Sequence, residues 1–525
     1  MMLTKEGYKM SETTETNPIL DKPPYGMIAI LFIGAFVAIL NETLLNVALP
    51  SIMNEFQVDP TEVQWLTTGY MLVNGILIPA SAFLIQRFTN RTLFISAMTL
   101  FTIGTVLASF SPTFAVLVAA RLIQASGSAI MMPLLMNIML VSFPIEKRGT
   151  AMGFFGLVMV VAPALGPTLS GYIVEHYSWR TLFDIVIPFG IFTLLYAIFR
   201  LKNLTPQREI KLDVLSIILS SIGFGGLLYG FSIAGEEGGW GNPFVYGTII
   251  IGAVSLTLMI LRQYKLKEPI LEFRIFKYPM FALSQTIAIV LAIALFSAMI
   301  LLPIYVQNIR GFSPMEAGLL MLPGALVMGF MSPITGRLFD KYGPKKLAIV
   351  GLTITIVTSY LFSRLDMEIA YSSLVILFSI RALGMSMVFM PIMTNGLNEL
   401  PPKYYPHGTA MNNTMQQVAG AIGSALLISV MKARAESKAV ELAEGAFAEN
   451  TNLNTEEMAL LQTQIENEAT LNGINFAFLT STFIIVLALV LTIFMRRVTS
   501  NRPNQPGASK EAVDPTISTA EAPTK

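Results

Sequence analysis

Asn41, Glu42 and Asn46 lie in the stretch ILNETLLNVALPSI, residues 39–52, inside an otherwise apolar run covering residues 26–49. An ionisable side chain at membrane depth is costly and faces a bundle interior, a watery cavity or a partner charge, so Glu42 marks a functional site. Arg121 is a lone cation in another apolar run. Counted from the predicted span ends, both residues lie about 10 Å below the same boundary at 1.5 Å per residue. Equal depth permits the two to pair. Burial and a neighbouring arginine act in opposite directions on a carboxyl's hold on its proton, so water access or a competing cationic ligand would switch Glu42. A permanent structural ion pair is the alternative.

Two other charged residues are weighed beside that pair. Asp184 is a second candidate for proton handling, although its position four residues after Arg180 equally suits an interfacial ion pair on one helix. Arg381 has no acidic partner at the corresponding place in its own half: Phe296 and Ser297 stand where a counterpart of Glu42 would fall. Packing, gating, an anionic ligand or nearby carbonyls would each account for it. Glu62 and Glu316 fit helix capping, and Asp213 fits a helix N-terminus.

Composition says what must house these groups. Of 525 residues 54 % are hydrophobic and 13 % charged, and mean hydropathy is +0.64, far from the roughly 25 % charged of a soluble domain. The sequence is that of an all-α integral membrane protein. A net charge of +1 gives no support for nucleic acid as a partner. There is no cysteine, which rules out thiol chemistry, disulfides and cysteine metal sites. His176 and His407 are in separate loops, so no metal site is expected. No nucleotide-binding glycine loop and no nucleophile–base constellation is present, so no enzyme and no cofactor is expected.

Apolar runs of 18 to 25 residues predict about fourteen spans, near 26–48, 64–86, 92–110, 114–141, 150–173, 181–200, 214–234, 244–262, 280–306, 316–334, 346–363, 371–396, 408–431 and 474–495. Lysine and arginine concentrate in alternate loops, which predicts both termini in the cytoplasm. An internal repeat follows. Asp59-Pro60-Thr61-Glu62 answers Ser313-Pro314-Met315-Glu316, Arg121 answers Arg381, and Gly149-Thr150-Ala151-Met152 answers Gly408-Thr409-Ala410-Met411, at offsets of 254 to 260. Two six-helix halves in the same orientation, with two helices inserted between them, is the economical reading. The expected organisation is a tail at 1–25, a first half at 26–200, the inserted pair at 201–279, a second half at 280–497 and a disordered tail at 498–525. An acidic outer segment at 432–473 interrupts the second half and is expected to be a solvated flap with one short helix at 455–469. In span five Ala162, Gly166 and Ser170 form a small-residue stripe that allows close helix approach, and Pro163 and Pro167 predict a bend.

These motifs resemble the fourteen-span drug:proton antiporters of the major facilitator superfamily, the EmrB/QacA type, and in particular its lincomycin-resistance-like branch. LNETLLNVALP resembles the family's span-one motif. ARLIQASGSAIMMP resembles the span-four motif, in which the resemblance assigns proton coupling to Arg121, with Gln124 and Gly127 beside it. APALGPTLSG resembles the antiporter signature and maps to Gly166 and Pro167. GRLFDKYGPKK resembles the loop that latches helices during alternating access, with Gly336, Asp340, Lys341 and Gly343 in register. Two departures stand out. The family's span-one aspartate falls on Asn41, so the acid is displaced to Glu42, roughly 100° around the helix. In the first-half loop Gln86 replaces the aspartate and Thr89 the glycine, while Arg87 and Arg91 persist; a weaker latch is expected there.

The resemblance implies a multidrug efflux transporter of the cell membrane, driven by the proton gradient and exporting amphiphilic or cationic compounds. Glu42 would take the proton, and Asn41, Asn46, Gln124, Met131, Met132 and Arg381 would line the substrate cavity. Export of one physiological metabolite or lipid is the alternative, and a non-transporting receptor a further one. Expected partners are the lipid bilayer, protons and small drug-like substrates; the sequence identifies no adaptor protein.

Overall fold

The computed structural model describes residues 23–204, 207–234, 239–449 and 455–498. The tails expected at either end lie largely outside the described residues, as do the side chains of Asn46, Phe296 and Ser297. Fourteen helices among the described residues are long and apolar enough to cross a membrane, and no strand occurs among them. The first half comprises α1 (Tyr25–Leu44), the short α2 (Leu49–Phe56) and α3 (Pro60–Val63), α4 (Trp65–Arg87), α5 (Asn90–Ser109), α6 (Phe114–Ser142), α7 (Arg148–His176) and α8 (Thr181–Arg200). The inserted pair is α9 (Val214–Ala234) and α10 (Pro243–Lys265). The second half holds α11 (Pro279–Ile304), α12 (Pro314–Tyr342), α13 (Pro344–Phe362), α14 (Tyr371–Ser386), α15 (Phe389–Glu399), α16 (Tyr405–Glu449) and α17 (Thr455–Ile493). An even number of spans puts both ends of the described chain on one face, here termed the termini face.

Local chemistry sets the helix ends. Asp59 and Ser313 each accept from the backbone N–H three residues on, and Glu62 and Glu316 reach back to the cap N–H, so both predicted capping boxes form. Thr89 and Thr113 cap α5 and α6 through Thr92 and Val116. Between α12 and α13 the chain turns through Gly343 at φ +80°, followed by Pro344 at the first helical position. Thr89, at the equivalent point of the first half, has φ −66°, so the two loops differ in backbone as well as in sequence.

Two expectations change. The segment 432–473 is not a flap with one short helix: α16 continues to Glu449 and α17 begins at Thr455 and runs unbroken into the last span. The stretch AESKAVELAE consists largely of strong helix formers, so each spanning helix propagates outward. The twelfth span is in turn interrupted, with α14 ending at Ser386 and α15 starting at Phe389.

The first half is packed around one continuous apolar cluster. Besides a small cluster of Met328, Ala382 and Met385, the second half has two larger ones, one around Leu301, Phe362 and Phe478 and the other around Ile287, Leu352 and Ile485. Arg381 and Ser359 fall between them in sequence along α14 and α13. Between the halves, α7 packs on α12 and α4 on α16. The inserted α9 lies against α4, α16 and α10, with Tyr229 stacked on Trp65 at 6.0 Å between ring centres.

Candidate proton-coupling and gating sites

Span one does not run straight through. α1 ends at Leu44, a tight turn covers Leu45–Val47, and α2 resumes at Leu49, so Asn41 and Glu42 occupy the last helical turn before a break. Asn41 is 1 % exposed and points to α6, where its Oδ1 accepts from Arg121 Nη1 at 2.8 Å. The same nitrogen donates to Gln124 Oε1 at 2.5 Å, and Gln124 Nε2 donates to Thr105 Oγ1 at 2.8 Å. Arg121 Nε reaches the Leu66 carbonyl at 3.4 Å, and the guanidinium lies 4.2 Å from the centre of the Tyr70 ring. Arg121 is 1 % exposed, and its Nη2 is buried with no hydrogen-bond partner.

The expected contact between Glu42 and Arg121 is therefore corrected. Among the described residues the ion pairs are Arg180–Glu55, Arg262–Asp213, Arg274–Glu272 and Lys438–Glu441; Glu42 is in none. The physical reason is the 100° step between neighbours on a helix: Asn41 takes the position facing α6, and Glu42 is turned aside. Glu42 stays within electrostatic reach of Arg121 and Tyr70 and is partly exposed. A buried cation held at one nitrogen by neutral amides, beside a carboxyl that makes no salt bridge with it, lets that carboxyl gain or lose a proton without a salt bridge having to break.

Sequence reasoning missed the second arm of this network. Tyr70 Oη donates to Ser128 Oγ at 2.7 Å, and Ser128 Oγ donates to Asn74 Oδ1 at 3.1 Å. Tyr70 and Asn74 are four residues apart in α4, a polar i,i+4 pair in an apolar span, which was the available signal.

The remaining candidates divide. Asp184 does not pair with Arg180. It accepts from Ser109 Oγ at 2.5 Å, while Arg180 reaches across to Glu55 at 2.6 Å and to the Ser111 carbonyl at 3.0 Å. Trp179 Nε1 also donates to Glu55, at 2.6 Å. Partial burial pushes the Glu55 carboxyl up, but the bonds from Trp179 and Arg180 outweigh it and hold the group below its ordinary value. Arg381 donates to the Ala294 carbonyl at 2.7 Å and to Ser359 Oγ at 3.2 Å, both within its own half. Met131 is packed into the first-half core and Met132 lies at its edge. A cavity of about 880 Å³ does open between α1, α7 and α8, but its walls are apolar, and Asn41, Glu42, Gln124, Met131, Met132 and Arg381 are not among its lining residues.

The residues expected to act in gating lie at close approaches. Ala162, Gly166 and Ser170 are all buried, and a Cβ on Gly166 would fall 2.2 Å from Thr43 Oγ1, in the last turn of α1 before the span-one break. On the termini face Asp340 spans the two halves: Oδ1 accepts from Gly149 N at 2.8 Å, and Oδ2 accepts from Thr150 N at 2.8 Å and Thr150 Oγ1 at 2.7 Å. A carboxylate is thereby set on the N-terminus of α7. Gly336 makes room, since a Cβ there would lie 2.2 Å from the Gly149 carbonyl oxygen. Arg497 donates to the carbonyls of Asp340 and Lys341, and the Lys341 side chain is exposed. Arg91 ties α5 to the Ile198 carbonyl at the end of α8 at 2.6 Å, whereas Arg87 is exposed.

Comparison with known proteins agrees with this architecture. The Major Facilitator Superfamily profile matches residues 31–424. The chain is 45 % identical to the uncharacterised MFS-type transporter YhcA of Bacillus subtilis, over 92 % of this chain and 94 % of that protein. It is 42 % identical to the lincomycin resistance protein LmrB of the same organism, over 95 % of this chain and 99 % of that one. Among solved structures, the human organic anion transporter MFSD10 superposes with a TM-score of 0.62 at 13 % identity, covering 90 % of this chain and all of that one.

Proposed function

Because the chain belongs to the Major Facilitator Superfamily and is a multi-pass membrane transporter rather than an enzyme, we propose that it exports amphiphilic, drug-like compounds in exchange for protons. It does so by alternating access of its two halves, with both termini in the cytoplasm of a cell whose plasma membrane it spans. The observation that carries this reading is the state of Glu42, a partly exposed carboxyl without a hydrogen bond, within reach of an Arg121 whose Nη1 two amides already hold. Similarity to a protein named for lincomycin resistance supports drug-like cargo. The excess of lysine and arginine in the loops of the termini face supports the orientation.

In this reading Glu42 takes a proton from the outside when the cavity faces outward, which lowers the cost of a cationic cargo leaving. It releases the proton to the cytoplasm once the halves have rocked. Asn41 and Gln124 hold Arg121 in place throughout, and the close contact of Gly166 with Thr43 lets α7 pivot on the span-one break.

The test is proton flux in proteoliposomes under an imposed pH gradient, with lipophilic cations and lincosamides as added compounds. Wild-type protein should dissipate the gradient when a transported compound is added. Glu42→Gln should remove that response while leaving thermal stability intact. Undiminished drug-driven proton flux in Glu42→Gln refutes the assignment of Glu42.

A further inference from the structure

The termini face is closed by two contacts that the internal repeat relates, and they differ in chemistry. On one flank Asp340 caps α7 through three hydrogen bonds. On the other, Gln86 stands 254 positions before Asp340, and His407 directly precedes Gly408, the counterpart of Gly149. Gln86 Nε2 lies 3.1 Å from His407 Nε2 and donates to the Ala82 carbonyl at 2.9 Å. The two residues are 8 % and 5 % exposed. A neutral amide gains nothing from the dipole of α16 comparable to what a carboxylate gains at α7. The backbones are also less intimate here, since the nearest neighbours of Gly408 are Leu400, Leu397 and Phe281 of its own half.

The missing hold comes from the two linkers of the inserted pair. The Arg208 N–H, in the linker before α9, donates to the Gln86 carbonyl at 2.9 Å. In the linker after α10, the Glu272 N–H lies 3.2 Å from His407 Nδ1, and a neutral ring, with one N–H, accepts from either Gln86 or Glu272 according to its tautomer. The base of the inserted pair is itself fixed. Arg262 binds Asp213 through Nε and Nη2 at 2.7 and 2.9 Å. Gln263 donates to Ser216 at 2.6 Å and accepts from the Leu271 N–H at 3.3 Å. Both linkers therefore leave a rigid base and meet at one place.

We propose that Gln86 and His407 form a second, charge-neutral lock between the halves, and that the inserted helices act as a strap whose two linkers clamp it shut. The proposal rests on the reading that the halves move against each other, and it is independent of what is transported.

The chain contains no cysteine, so spin labels can be introduced at Phe88→Cys and Lys403→Cys, both exposed residues beside this lock. Distance distributions are then recorded in lipid nanodiscs with no substrate and no proton gradient. His407→Ala should raise the separated population about fivefold, the shift expected when one net hydrogen-bond contribution is lost. Gln86→Met should do the same and serves if His407→Ala fails to fold. His407→Asn, which keeps a hydrogen-bonding side chain, should restore most of the closed population. Glu272→Pro, which removes the backbone N–H facing His407 at a residue whose φ of −84° suits proline, should open the pair as far as His407→Ala does, with Gln86 and His407 intact. An unchanged distribution in both His407→Ala and Gln86→Met overturns the lock, and an unchanged distribution in the linker variant overturns the strap. Because no cargo or proton enters the measurement, either failure is distinct from a failure of the export assay.

Discussion

At the scale of single residues, the proposed proton coupling turns on which of two neighbours faces α6. Asn41 does so, and Arg121 Nη1 is held by amide oxygens at 2.8 and 2.5 Å, leaving Glu42 without a hydrogen bond. A carboxylate moved one position would be held by the guanidinium instead. The double variant Asn41→Asp with Glu42→Gln should therefore retain no more than about a tenth of wild-type drug-driven proton flux, because its only acid would sit in a buried ion pair. Full recovery in the liposome assay would show that the two positions are interchangeable. Arg121→Lys keeps the charge but loses the fork that serves Asn41 and Gln124 from one nitrogen and Leu66 from another. It should lower stability by about 2 kcal/mol, the scale of charged hydrogen bonds, measurable as an earlier thermal transition in detergent.

At the scale of elements, close approach and capping decide what can move. The Gly166 contact with Thr43 leaves no space for a side chain, so Gly166→Val should push α7 from the span-one break at a cost of about 2 kcal/mol and reduce export in parallel. The inserted pair makes a prediction about pH. The Arg262 hydrogen bonds lower the Asp213 carboxyl most, burial opposes them with a smaller effect, and Ser216 and the Arg262 charge add to the lowering, so the group stays below its ordinary value. A lowered carboxyl adds stability that is complete above the ordinary carboxylate range and is lost as pH falls through the lowered value. Hydrogen exchange at the base of α9 should accordingly rise only under acid conditions in wild type. Asp213→Asn should show the faster exchange already at neutral pH, and identical profiles for the two proteins would remove the pair from any bracing role.

At the scale of the whole molecule, the halves meet on the termini face through an anionic cap on one flank and a neutral contact on the other. Asp340→Asn replaces a carboxylate that accepts from three donors by an amide with one accepting oxygen. Labels at Lys147→Cys and Lys341→Cys should then report about a tenfold larger open population, with little change on the flank of Gln86. An equal change on both flanks would mean that the locks are one cooperative unit.

Much of this was legible in the amino-acid sequence because the bilayer imposes a local rule: a backbone in hydrocarbon must satisfy itself, so span number follows from run length alone. The capping boxes and the repeat, whose partners are near in sequence or recur at a fixed offset, were legible for the same reason. Glu42 and Arg121 stood out as charges in apolar surroundings, and Asp340 through the resemblance of its loop to a family motif. Partner choice was not readable. Whether Arg121 meets position 41 or 42 depends on the rotation of α1 against α6, and whether Arg180 meets Asp184 or Glu55 depends on where α2 settles, since both involve residues far apart in the chain. The meeting of Gln86, His407 and both linkers was equally beyond reach. It joins four separate segments, and only the packing of α4 against α16, with the inserted pair beside them, brings those segments to one point.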